Sequence, residues 1–249
     1  MLSVDGMILL ALVVARVAPL VMLAPIFGAR SLPLPLSGLL AIVLSLLIAP
    51  LQVAGGVVPP PQTGPLLLAL ASETLTGLSL ALAVLVVFQA AELAGRLIAG
   101  SSGLVFSDGA ADQPAGPAPA QLLTLVALAV FVTTGGHRLV MAALLDSFQA
   151  LPPGSGLLPA DLTDTATQLL AAAFALAVRA AAPVIVAVLV ANLAVGVLQR
   201  SVPQVNSLVV GLGLNLGVAL TGLFLALGAI AYLLGDQIAV FLQIWQQPL

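Results

Sequence analysis

Six apolar runs, separated by short connections rich in proline and glycine, organise the chain: 7–24, 36–53, 65–104, 120–150, 165–199 and 207–246. Each run predicts helix. A helix needs about 20 residues to cross a hydrocarbon core of about 30 Å, and the first two runs have that length. The others exceed it. At about 1.5 Å per residue, the run 65–104 would extend about 60 Å as one straight helix, and 207–246 is similar. Two outcomes are open. Either these helices break, at AGSSG (99–103), at Pro183 or at the glycines 211, 213 and 217, or they protrude and pack mainly on other proteins.

Polar positions inside the runs favour the second outcome. Arg16, Glu73, Glu92, Arg96, Arg138, Asp146 and Arg179 all interrupt apolar sequence. Each would cost about 2.5–3.5 kcal/mol at the centre of a membrane helix, so they do not all face lipid. Glu92 and Arg96 stand four residues apart with the acid first, the favourable order for a pair on one helix face. That pair reads either as neutralisation within a bundle or as part of an ion pathway. Gly213 and Gly217 form a GxxxG, and Asn192 with Gly196 makes a similar small or polar stripe, so close helix packing is expected.

Composition agrees with a polytopic membrane protein. Of 249 residues, 61% are hydrophobic and 6% charged, with a mean hydropathy of +1.26, against roughly 25% charged residues in soluble domains. The basic residues are six arginines, set against nine acids and one histidine. Only His137 and Arg138 are adjacent, which excludes a basic nucleic-acid surface or a charged tail. Zero cysteines exclude disulfides and thiolate metal sites. The N-terminus carries Asp5 and no basic residue before Met7, so the first run is read as retained rather than as a cleaved signal. Arg30 and Arg200 fall in the first and fifth connections. The positive-inside rule therefore places the odd-numbered connections in the cytoplasm and both termini outside.

No catalytic constellation is legible. The sole histidine, His137, lies in TTGGHRL with Asp146 nine residues on, and no serine sits in a nucleophile-elbow context. The scattered acids have no metal-ligand spacing, and neither a GxxxxGK[ST] loop nor a GxGxxG occurs. The expectation is a protein that is no enzyme and carries no cofactor. The bottom-up alternative is a secondary transporter, with Glu73, Glu92 or Arg96 as coupling groups, although no repeat relates the two halves.

Several strings in order along the chain resemble one family. They are RVAPLVMLAPIFGARSLPLPLSGLLAIVLSLLIAP (Arg16–Pro50), ETLTGLSLAL (Glu73–Leu82), AAELAGRLIAGSSGLVFSDG (Ala90–Gly109), GGHRLVMAALLDSFQALP (Gly135–Pro152) and NLAVGVLQRSVPQVNSLVVGLGLNL (Asn192–Leu216). The family is that of the flagellar biosynthetic protein FliR and its counterpart, the T subunit of the virulence type III secretion export apparatus. Three departures stand out. LPLSG replaces basic residues after Pro33, DGAADQP replaces a tighter Asp-Pro turn, and a proline is missing after Gly211.

The resemblance implies an all-α, polytopic subunit of long, kinked helical hairpins, similar to a P-type and a Q-type export-gate subunit fused into one domain, 1–249. Residues 1–164 would be the P-like part and 165–249 the Q-like hairpin. The implied function is to complete and plug the protein-conducting pore of the type III flagellar export gate. The implied partners are P-type and Q-type subunits, the B-type switch protein, unfolded secreted substrates and the lipid membrane, with no nucleic acid. The implied location is the bacterial inner membrane at the flagellar basal body. The motifs are shared with virulence systems, and overall likeness favours the flagellar one.

The connection 106–119 occupies the place of the family's plug. Phe106, Ser107, Asp108, Gly109, Asp112, Pro114, Gly116 and Pro117 are the candidate plug residues, in a segment whose prolines and glycines oppose regular helix. An ordinary exposed loop is the other reading. Gln199, Arg200, Pro203 and Gln204, at the hairpin tip, are the candidate contacts for the switch protein, or else a plain interhelical turn broken by Pro203. Arg16, Glu73, Glu92, Arg96, Gly136, His137, Asn192 and Gly196 are expected as buried charge or packing residues. His137 is read as packed and hydrogen-bonded, and Gly135 and Gly136 as permitting close packing or a bend.

Overall fold

A computed structural model describes residues 4–24, 33–54, 63–102, 116–156, 162–201 and 207–246. Seven helices make up 94% of the described residues, with no strand among them. In chain order they are α1 (Val4–Leu23), α2 (Leu34–Ala54), α3 (Thr63–Ser102), α4 (Ala118–Thr133), α5 (Gly136–Ala150), α6 (Leu162–Ser201) and α7 (Ser207–Gln246). Five are long and apolar enough to cross a membrane, or up to six if the pair α4 and α5 counts as one span.

The long runs do not break where proline and glycine suggested. Helices α3, α6 and α7 are each 40 residues long and unbroken. α6 passes through Pro183, and α7 through Gly211, Gly213 and Gly217. A 40-residue helix is about 60 Å long, twice the hydrocarbon thickness. Serines and threonines of α3 turn back on their own helix carbonyls: Thr76 donates to Ser72 at 2.9 Å and Ser102 to Ile98 at 2.9 Å.

The break falls instead inside the run 120–150. α4 opens with Pro117 at its N-cap and Pro119 in its first turn, where a missing N–H costs nothing. It closes at Thr134, whose N–H reaches the Val130 carbonyl at 2.9 Å. Gly135 then takes φ 75°, a left-handed conformation closed to most side chains, and caps the start of α5. α5 ends at Leu151, before the tandem prolines Pro152 and Pro153.

The chain packs as two compact units. Unit 1 is Met1–Val86, Gly135–Leu170 and Ile238–Leu249. Its core comes from stripes at helical spacing: Leu9, Leu12, Val13, Val17 and Leu20 of α1, and Val140, Ala143, Leu144 and Phe148 of α5. The last turns of α7 add Phe241 and Trp245, and the Trp245 indole donates to the Ser79 hydroxyl at 2.9 Å. Helix α1 packs along α2.

Unit 2 is Val87–Thr134 and Ala171–Gln237. Phe88 of α3 and Phe131 of α4 meet with ring centroids 5.5 Å apart, tilted by 44°. Gly95 lets the start of α4 lie directly on α3, since a Cβ there would fall 2.3 Å from Ala120 Cα. In the α6–α7 hairpin Gly222 lies against Val184, where a Cβ would stand 3.6 Å from the Val184 side chain, and Ala177, Val184, Ala219 and Leu223 are buried.

Candidate functional site

In unit 1 two charges from distant stretches meet. Arg16 on α1 and Glu73 on α3 are both fully buried, and the Arg16 Nε donates to Glu73 Oε2. The guanidinium spends its other donors on the end of α5. Its Nη1 reaches the Ser147 carbonyl at 2.8 Å and the Ser147 hydroxyl at 3.2 Å, and its Nη2 reaches the Leu151 carbonyl at 2.8 Å. The Ser147 carbonyl also accepts the Leu151 N–H at 2.9 Å, and both carbonyls lie at the C-terminal end of α5, where the negative end of the helix dipole favours a cation. The Phe148 ring lies 4.3 Å from Arg16 Cζ. Glu73 completes the clasp by accepting the Gly154 N–H at 3.1 Å.

Close approach of α1 to α3 is what brings the pair together. One turn after Glu73, Gly77 lies against the Arg16 backbone: a Cβ there would fall 2.0 Å from the Arg16 carbonyl oxygen. Gly77, Ser147, Phe148 and Leu151 escaped the sequence reading as functional positions, although the strings ETLTGLSLAL and SFQALP contain them. The signal available was a small residue four positions after an intramembrane acid.

In unit 2, Glu92 and Arg96 form the i, i+4 pair, with Arg96 Nη2 donating to Glu92 Oε1 at 2.7 Å. Glu92 is buried while the Arg96 side chain is 55% exposed, so the pair contributes little stability by itself. The guanidinium lies beside Gly116, where a Cβ would be 3.6 Å from Nη2. Gly116 has φ 71°, and its carbonyl accepts from the Gln121 side chain at 2.8 Å. The returning end of the 106–119 connection, Gly116 and Pro117, is thus set at the Arg96 level of α3. Phe106, Ser107, Asp108, Gly109, Asp112 and Pro114 lie outside the described residues.

Four expected packing residues are exposed. Arg96 is one. His137 is another: the buried stripe of α5 runs through Gly136, Val140, Ala143 and Ser147, and His137 is one residue, or about 100°, off it. Asn192 and Gly196 are exposed on α6, because the buried stripe there runs through Val188, Ala191 and Val195. Asn192 is still bonded, its side-chain carbonyl accepting from Asn215 of α7 at 2.7 Å. Gly196, Gly213 and Gly217 have open space where a Cβ would stand, so none seats a helix of this chain. At the hairpin tip Arg200 is exposed, while the Gln199 side chain, Pro203 and Gln204 lie outside the described residues, as does Arg30.

Among the described residues, no three histidine, cysteine, aspartate or glutamate side chains converge on a metal-sized site. A cleft of about 190 Å³ lies between α6 and α7, lined by Ala172, Ala175, Leu176, Arg179, Leu233 and Gln237. It is smaller than the about 300–1,000 Å³ usual for a small-molecule site. What the geometry offers is joints between long helices and wide uncovered apolar faces.

Residues 7–240 match the model of the family described as bacterial export proteins, family 1. The chain is 32% identical over 238 residues to the flagellar biosynthetic protein FliR of Caulobacter vibrioides, covering 94% of each chain. It is 32% identical over 210 residues to FliR of Escherichia coli, covering 83% of this chain and 79% of the other. It is 30% identical over 181 residues to FliR of Aquifex aeolicus, covering 70% and 68%.

Proposed function

The chain belongs to the bacterial export proteins, family 1, and from that membership we infer what its long helices serve. It is a subunit of the type III flagellar export apparatus, an all-helical protein of the inner membrane. The finer reading is that it completes and plugs a protein-conducting pore together with P-type and Q-type subunits at the basal body, with the B-type switch protein at the hairpin tip. The division into a P-like part, 1–164, and a Q-like hairpin, 165–249, belongs to the same reading.

The observation that carries it is the mismatch between helix length and bilayer. Three unbroken 40-residue helices extend about 60 Å, and the hairpin windows of α6 and α7 are only 28% and 22% buried within the chain, so their apolar surface is available to neighbours. Unfolded secreted proteins are the cargo of such a pore, and the work of this subunit is gating. The plug reading rests on position: the 106–119 connection leaves α3 at Ser102 and returns at Gly116 beside Arg96. Irregular backbone at membrane depth is tolerated only inside protein or a wet cavity, which a pore lumen provides.

Deleting Gly109–Gly116 tests it. Cells or proteoliposomes carrying the assembled gate with this deletion should leak small ions, measured as dissipation of an imposed ion gradient. Unchanged permeability in an assembled gate would defeat the plug.

A further inference from the structure

Arg179 is a charge without a home in this chain. It sits on α6, 17 residues from the start and 18 from the end of an apolar span, Leu162–Val197, and is exposed. Among the described residues it has no ion-pair or hydrogen-bond partner. Intramembrane arginines almost always face a bundle interior or a cavity and are paired. The backbone at the same place is also short of a partner. Pro183 has no N–H to give the Arg179 carbonyl, which a regular helix would satisfy from that position.

The face that carries Arg179 has a period of its own. Arg179, Pro183, Val186, Val190, Leu193 and Val197 follow one another at spacings of four, three, four, three and four, and all are exposed, the last four by 56–65%. Strict alternation of three and four is the 3.5-residue repeat of a helix-on-helix seam, whereas the buried face of α6 packs on this chain's own residues. The seam is apolar between two exposed arginines, Arg179 where the 190 Å³ cleft opens beside Ala172 and Ala175, and Arg200 three residues past Val197 at the hairpin tip. A single polar group in such a seam sets register and partner.

We propose that this face of α6 receives an apolar helix from a neighbouring subunit of the export gate, and that an aspartate or glutamate on that helix enters the cleft to pair with Arg179. The inference rests on the export-gate reading above and adds the contact and its chemistry. Charge complementarity selects an acidic helix. A lipid phosphate fits less well, because Arg179 stands at the middle of the span rather than near an end. The cleft, of about 190 Å³, has room for a carboxylate side chain.

The test uses the full chain in membranes of flagellated cells, with a photo-crosslinking amino acid in place of Val190 and the adducts identified by mass spectrometry. The expected result is an adduct with a helix of another export-apparatus subunit. Its yield should fall at least about tenfold in Arg179→Glu, fall also in Arg179→Gln, and survive in Arg179→Lys, at equal membrane levels of the chain. Changing the acid on the captured helix to lysine should restore the adduct in Arg179→Glu. Adducts with a second copy of this chain, adducts with lipid alone, or a yield indifferent to Arg179→Glu would each overturn the proposal. If Arg179→Glu does not accumulate, Arg179→Gln and Arg179→Lys decide it. Export of a secreted flagellar protein is measured in the same strains. Export that survives removal of the whole chain defeats the export-gate reading, whereas export lost on removal with an adduct indifferent to position 179 defeats the seam alone.

Discussion

A guanidinium that gives its donors to Glu73, to the Ser147 carbonyl and to the Leu151 carbonyl leaves little unmet charge in its surroundings. That is why Arg16 and Glu73 can be buried completely. Removing one partner of such a pair costs about 3–5 kcal/mol, because the other stays buried uncompensated. Arg16→Met should therefore sharply lower the unfolding midpoint in detergent, or prevent accumulation. The chain's one tryptophan, Trp245, reports on the same unit through its emission. Arg96→Met, at a half-exposed position, should move that midpoint little. Equal effects of the two changes would contradict the clasp. The two pairs also differ in what sequence can reveal. Glu92 and Arg96 are four residues apart, so helical geometry alone joins them. Arg16 and Glu73 are 57 apart, and only the tertiary path brings them together. Each is visible in sequence as a misplaced charge, but its partner is not. His137 shows the opposite failure: its neighbours Gly135 and Gly136 marked a real joint, yet the side chain falls off the buried stripe.

At the scale of elements, the six apolar runs located the helical stretches to within a few residues, with α4 and α5 falling together in the run 120–150, because hydrophobic length is a strong signal. Breaks were harder. Pro183 and the α7 glycines are carried within continuous helices, where nothing in the fold calls for a turn. Gly135 interrupts the run 120–150 because it adopts φ 75°. Periodicity does not report a backbone angle, so two glycines in a row were the only clue. Helix contacts have the same character. Gly77 and Gly213 look alike in sequence, yet a Cβ at Gly77 meets the Arg16 backbone while one at Gly213 meets nothing. Gly77→Ala should force α1 away from α3, costing about 1–3 kcal/mol as overpacking does, whereas Gly213→Ala should leave the isolated chain as stable or slightly more so. Thermal unfolding of the two purified variants distinguishes these outcomes, and an inverted order would refute the close α1–α3 contact.

For the whole molecule, three helices of 40 residues, about 60 Å each, are about twice as long as the hydrocarbon is thick. Unit 1 carries its own polar clasp, and unit 2 its paired Glu92 and Arg96. Among the described residues, Arg179 and the uncovered apolar faces of α6 and α7 are exposed without a partner in this chain. A subunit of this kind finds its stable form in an assembly, and family membership names the assembly as the flagellar export apparatus. The most direct test is to affinity-tag the chain in flagellated cells, solubilise it in mild detergent, and identify what is recovered with it. The account predicts P-type and Q-type export-gate subunits in fixed ratio to the tagged chain. Recovery of the chain alone, with purified chain in liposomes driving uptake of a small solute, would contradict it.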